Sequence, residues 1–125
     1  MSDPRPTLLL VEDDELLRES FALLLDDAGY DVLPAGTASD AVEVARKRQP
    51  DLVVLDLGLP DRPGLEVVRE IRADPELGTT PVIALTGRVG AEQEKACLEA
   101  GCDRFLTKPV PARTLLSELA RFVGT

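Results

Sequence analysis

The strongest constraint in this chain is an alternation: five short apolar runs, separated by amphipathic segments of helical spacing. The runs are TLLLV at 7–11, DVLPA at 31–35, LVVLD at 52–56, VIALT at 82–86 and RFLT at 104–107. Between the first two, Leu17, Phe21, Leu24 and Ala28 recur at helical intervals and stop at Gly29, a residue type that readily ends helices. TASDAVEVARKR opens on capping side chains and puts Ala41, Val42 and Ala45 on one face. GLEVVREIR gathers Leu65, Val68 and Ile71, and AEQEKACLEAG closes on Gly101. The last segment, PARTLLSELARFV, begins with Pro111, which a first helical turn tolerates. Strands alternating with helices of this length join by right-handed crossovers, so the sheet is parallel and covered on both sides. The expected fold class is α/β, a single doubly wound five-stranded parallel sheet with five helices on both faces, forming one domain over residues 1–125.

Strand order follows from what each run can bury. The runs at 7–11, 52–56 and 82–86 are almost wholly apolar, as strands covered on both sides must be. Pro34 cannot donate to a ladder, which sends the second run to an edge. The fifth is short and more polar, which suits the other edge. The expected order is 2-1-3-4-5, the flavodoxin-like arrangement, in which ligands bind beyond the carboxyl ends of the strands.

Those ends carry a pattern. LLLVEDDE sets an apolar wall against four acids, of which Glu12 and Asp13 directly follow strand one. Asp56 closes strand three, Thr86 closes strand four, and Lys108 follows strand five just before Pro109. Like charges crowded at a strand end oppose one another's ionisation unless they are solvated, cap a helix or surround a cation. Asp14 reads as the cap of the first helix.

Composition removes several function classes. The net charge is −9 with no histidine, which argues against nonspecific binding to nucleic acid or to an anionic membrane. Histidine catalysis and most zinc sites go with it. Cys97 and Cys102 are too few for a disulfide framework and read as free thiols. The start MSDPRPTLLL has no signal-peptide pattern and no apolar run could span a bilayer, so the expected location is cytoplasmic.

The chemistry open to this set is phosphoryl transfer. Mg²⁺ commonly takes one or two carboxylates together with phosphate oxygens and water. Asp13 and Asp56 supply two ligands, the Gly58 carbonyl a third, and Glu12 can hold a coordinated water. Asp56 can also act as nucleophile, accepting a phosphoryl group as an aspartyl-phosphate. Lys108 and Mg²⁺ would then neutralise the phosphoryl oxygens while Thr86 hydrogen-bonds one of them.

LLLVEDDE, LVVLDLGLPDRPG, VIALTG and GCDRFLTKP, in this order, resemble the signature segments of response-regulator receiver domains of two-component signalling. The resemblance runs from about Thr7 to Val123. It implies that Glu12 and Asp13 are the acidic pair, Asp56 the phosphoacceptor, Thr86 the switch hydroxyl, Lys108 the phosphate-binding lysine and Phe105 the switch aromatic. It implies a cis Lys108–Pro109 bond, phosphoryl supply from a sensor histidine kinase or histidine phosphotransfer protein, and read-out to a downstream effector through the face of the fourth helix, fifth strand and fifth helix. Gly58 and Arg88 stand at the two neighbouring positions that tune phosphoryl lifetime in the family. Catalysis is expected only of the chain's own aspartyl phosphorylation and dephosphorylation, and the expected state is a monomer or weak dimer.

Other readings weigh less. A flavin binder needs a hydroxyl- and glycine-rich phosphate loop after strand one, where EDDE repels phosphate. A haloacid-dehalogenase-type phosphatase needs a second Asp two residues after its nucleophile, where this chain has Gly58. A degenerate receiver, binding partners without phosphorylation, usually lacks an acid or the lysine, and here all are present. Taken singly, Thr86, Phe105 and Lys108 pass for an ordinary strand residue, a core residue and a solvated lysine.

Overall fold

Strand bounds in the computed structural model, which describes residues 5–88 and 90–123, coincide with the five apolar runs. They are β1 (Thr7–Val11), β2 (Asp31–Ala35), β3 (Leu52–Asp56), β4 (Val82–Thr86) and β5 (Arg104–Thr107). The helices between and after them are α1 (Glu15–Asp27), α2 (Ala38–Arg48), α3 (Gly64–Ala73), α4 (Ala91–Ala100) and α5 (Ala112–Val123). All pairings are parallel and the order is β2-β1-β3-β4-β5. Pro34 sits on the edge strand as expected, opposite Leu10. The ends of the expected 1–125 domain, residues 1–4 and 124–125, lie outside the described residues.

Each strand sends alternate side chains to opposite layers. Leu9, Val11, Val53, Leu55, Val82 and Ala84 join the core beneath α2, α3 and α4. Leu8, Leu10, Leu52, Val54, Ile83 and Leu85 join the core beneath α1 and α5. Interior strands buried on both faces therefore read as continuous apolar runs, and their register is fixed because a one-residue slip would exchange the two cores.

The helix ends explain where the chain turns. Asp14 caps α1 by accepting the Leu17 amide at 2.9 Å, and Gly29 takes the left-handed conformation just beyond it, at φ +106°. Arg5 then donates to the carbonyls of Asp26, Gly29 and Tyr30, tying the start of the chain to the turn that follows α1. Pro111 lies one residue outside α5, its carbonyl accepting the Leu115 amide at 3.1 Å, rather than within the first turn.

Gly101 at φ +110° closes α4. The Cys102 amide reaches back to the Cys97 carbonyl at 3.0 Å, and the Gly101 amide to that of Leu98 at 3.1 Å. This Schellman arrangement brings the two flanking side chains together. Both cysteines are free and buried, and burial pushes the Cys102 thiol up to about 12. They are packing residues of the α4 side of the core.

Candidate functional site

Parallel strands that start together also end together, so the carboxyl edge collects residues far apart in sequence. Glu12 and Asp13 leave β1, Asp56 ends β3, Thr86 ends β4, and Lys108 follows β5. Glu12, Asp56 and Thr86 are buried, at 2%, 5% and 3% exposure, while Asp13 faces solvent. The Lys108 ammonium lies between two carboxylates, donating to Glu12 Oε1 at 3.0 Å and to Asp56 Oδ2 at 2.9 Å. The Gly58 amide donates to Asp56 Oδ1 at 3.0 Å. The Thr86 hydroxyl oxygen accepts the Arg88 amide at 3.0 Å, leaving its proton to donate elsewhere. The Lys108–Pro109 peptide is cis, as expected.

Asp56, Gly58, Thr86, Arg88 and Lys108 line one cleft of about 790 Å³. Phe105 is half-buried on β5, packed against the core beneath α2, α3 and α4. Glu12, Asp13, Asp56, Thr86 and Lys108 are thus brought to one place, whereas Phe105 stands on the edge strand β5 and does not line the cleft.

Electrostatics separate the two buried acids. Burial drives the Glu12 carboxyl up to about 7, and the neighbouring Asp56 adds to the rise. Burial also raises Asp56, but the Lys108 ammonium and the Gly58 amide outweigh it, holding Asp56 below the usual carboxylate range. The cleft therefore presents an ionised Asp56 beside a Glu12 that still carries a proton near neutrality. The crowding that the sequence implies is relieved by a proton on one acid and an ammonium between the two.

A divalent cation fits this donor set. One carboxylate oxygen from each of Glu12, Asp13 and Asp56 lies within 4.8 Å of the others, close enough to surround a single ion. Oxygen donors without histidine or cysteine suit a hard cation of the magnesium class.

Three residues that the sequence reading passed over shape the cleft. Arg18 on α1 donates to the Glu12 carbonyl at 2.8 Å and so anchors the acidic turn. Gly64 opens α3 so close to the preceding loop that a Cβ there would stand 2.6 Å from the Leu57 Cα. Asp61 reaches from that loop to α2. None carries a sequence signal beyond its turn or helix position: Arg18 and Gly64 meet their partners only because the chain turns back between them, and Asp61 reaches an amide 23 residues away.

Two expected results follow. Glu12's folded pKa lies above its ordinary value, so its contribution to metal-free stability is full below about pH 4.5 and is lost as pH rises through about 7. Cation binding takes that proton off, so the Mg²⁺ dissociation constant should fall roughly tenfold between pH 6 and 8. Titration calorimetry in buffers of different ionisation heat reads both the affinity and the released proton, and a pH-independent constant would contradict the assignment. Lys108→Met keeps the stem but leaves two buried carboxylates facing each other. Metal-free stability at pH 8 should drop by about 1–2 kcal/mol, with Mg²⁺ restoring more to the variant than to the parent. Equal melting points in EDTA would make Lys108 a solvated lysine.

This doubly wound α/β fold, in order 2-1-3-4-5, is one that many solved structures share. The chain belongs to the family described as "Response regulator receiver domain", which matches residues 8–120. Among curated relatives, it is 30% identical to the polar-differentiation response regulator DivK of Brucella ovis over 118 residues, covering 94% of this chain and 96% of that one. Chemotaxis protein CheY4 of Vibrio cholerae superposes with a TM-score of 0.90 at 30% identity, covering 94% of this chain and 98% of that one. The receiver domain of sensor histidine kinase PA1611 from Pseudomonas aeruginosa PAO1, with magnesium coordinated in its active-site cleft, gives a TM-score of 0.88 at 31% identity, with coverage of 97% and 99%. Among the described residues no helix is long and apolar enough to cross a membrane.

Proposed function

We propose that this chain is a phosphorylation-activated switch in which Asp56 accepts a phosphoryl group from a phosphohistidine. The observation that carries the reading is the placement of Asp56: it lines the cleft, held by Lys108 and the Gly58 amide, with Glu12 and Asp13 alongside.

In the reaction an Asp56 carboxylate oxygen attacks phosphorus in line while the phosphorus–nitrogen bond breaks, and the imidazole leaves with the electron pair. Lys108 is placed to move from Asp56 onto a phosphoryl oxygen, exchanging one anionic partner for another. Thr86 donates its hydroxyl proton to a second oxygen. Asp13, Asp56 and the Gly58 carbonyl are the residues that would hold Mg²⁺, with Glu12 accepting from a coordinated water. The ion, when bound, supplies charge neutralisation for the phosphoryl oxygens.

Thr86 drawn toward the phosphoryl group would vacate space toward which Phe105 turns, changing the surface of α4, β5 and α5 that a downstream effector reads. The donor partner is a sensor histidine kinase or a histidine phosphotransfer protein, as the receiver family implies. The chain acts in the cytoplasm as a monomer or weak dimer, with residues 1–125 forming one receiver domain and no direct contact with nucleic acid or membrane.

The test uses acetyl phosphate as the small-molecule donor. Intact-mass measurement should show one phosphoryl adduct in Mg²⁺ and none in EDTA. An unchanged mass in both, with Mg²⁺ bound, would leave a phosphorylation-independent protein-binding module instead.

A further inference from the structure

The loop between β3 and α3 carries Gly58 and forms one wall of the cleft. Its two ends are fastened to the sheet and to itself. The Leu57 amide donates to the Leu85 carbonyl at 2.9 Å, and the Gly64 amide to the Leu57 carbonyl at 3.1 Å. Its apex is fastened differently. Asp61 extends its carboxylate across to the start of α2, where Oδ1 accepts the Ala38 amide at 2.8 Å and Oδ2 the Ser39 amide at 3.0 Å. Among the described residues, no other hydrogen bond joins residues 58–63 to an element outside β3 and α3.

The α2 side of this contact is complete. Thr37 caps its own helix, its hydroxyl oxygen accepting the Asp40 amide at 3.1 Å and its carbonyl the Ala41 amide at 3.0 Å. That leaves the first two helical amides, those of Ala38 and Ser39, and Asp61 takes both. A carboxylate at a helix N-terminus is favoured by the helix dipole as well as by the hydrogen bonds. Asp61 is accordingly held down at about 2, the Ala38 amide being the largest cause. The contact is charged across the whole range in which the protein would work.

Two prolines restrict the backbone of the loop. Pro60 and Pro63 bracket the Asp61–Arg62 pair, each with its φ fixed by the ring. Pro60 lies between Asp61 and Gly58, so a brace at Asp61 reaches back to Gly58 through a segment of three peptide bonds with one φ locked.

We propose that Asp61 is a positioning residue for the phosphoacceptor site: by bridging α2 to the β3–α3 loop, it fixes the Gly58 carbonyl where the cation requires it. The inference rests on the reading of Asp56 and Gly58 as part of that site. Asp61 touches no reacting atom and acts through the loop alone.

The matched control is Thr37. Thr37→Ala removes a cap from the same helix without touching the loop, whereas Asp61→Ala removes a cap and frees the loop apex. Mg²⁺ affinity is measured by titration calorimetry on the parent, on both variants and on Asp61→Asn, after circular dichroism has shown each to be folded. Asp61→Ala should weaken Mg²⁺ binding roughly tenfold, the scale on which outer-shell partners act. Asp61→Asn retains one good acceptor and should fall between it and the parent. Thr37→Ala should melt lower than the parent yet bind Mg²⁺ within about twofold of it.

Parent-like affinity in Asp61→Ala overturns the inference while leaving the site intact. Equal weakening in Thr37→Ala also overturns it, because the effect would then run through the stability of α2. Absence of Mg²⁺ binding by the parent itself removes the site reading, and the inference falls with it.

Discussion

Asp56→Asn is expected to take up no phosphoryl group from acetyl phosphate and Mg²⁺ under conditions where the parent takes up one. Asparagine keeps the shape and can still accept the Gly58 amide, but its amide nitrogen is no nucleophile and offers Lys108 no charge. The neighbouring acids do not substitute. Glu12 is buried and carries its proton to about 7. Asp13 is exposed, and the Lys108 ammonium donates to Glu12 and Asp56 rather than to it. Only Asp56 combines ionisation, access and a cation already in contact. An equal adduct on the asparagine variant, located by peptide mapping to Glu12 or Asp13, would move the nucleophile off β3.

Much of this was legible because burial writes itself into strands. β1, β3 and β4 are covered on both faces, so their sequences are continuous apolar runs, and their polar terminators mark the carboxyl edge of the sheet. Reading those terminators located Glu12, Asp13, Asp56, Thr86 and Lys108 together. What escaped is the set of contacts that join loops to helices. Arg18 and Asp61 look like surface charges on a helix and in a turn, since their partners are backbone groups of another segment. The state of the acids also escaped. From LLLVEDDE alone the pair after β1 looks strained until a cation arrives, yet the bridging Lys108 lies 96 residues from Glu12, a separation no local pattern reports.

At the opposite edge of the sheet, Arg72→Ala is expected to cost about 3 kcal/mol, more than Lys108→Met. Arg72 sits in the last turn of α3 with its side chain only 23% exposed. Its guanidinium donates to the carbonyls of Gly101 at 2.9 Å, Gly78 at 3.2 Å and Thr80 at 2.6 Å, and to Asp103 Oδ2 at 2.8 Å. That same Asp103 oxygen accepts the Val82 amide at 2.8 Å, so one side chain ties α3, the loop into β4, the end of α4 and the approach to β5. The stem packs directly under Gly101, where a Cβ would stand 2.8 Å from the Arg72 Cγ. Truncation leaves these acceptors without their shared donor at about 1 kcal/mol each, offset in part where water reaches them, and it removes the stem packing as well. For a domain of this size the loss corresponds to a melting point lower by on the order of 10 °C. Arg72→Lys should recover little, because a single ammonium cannot serve the fork of acceptors that the guanidinium spans. Arg113→Ala, at an exposed position on α5, should change stability by less than about 0.5 kcal/mol. Because Arg72 lies at the amino ends of β4 and β5, the Mg²⁺ affinity of the folded variant should match the parent's, which separates scaffold from site. Chemical denaturation of the three variants and the parent measures the first effect, and Mg²⁺ titration of the folded protein the second. A cost below about 1 kcal/mol for Arg72→Ala would mean that water already satisfies these carbonyls in the parent.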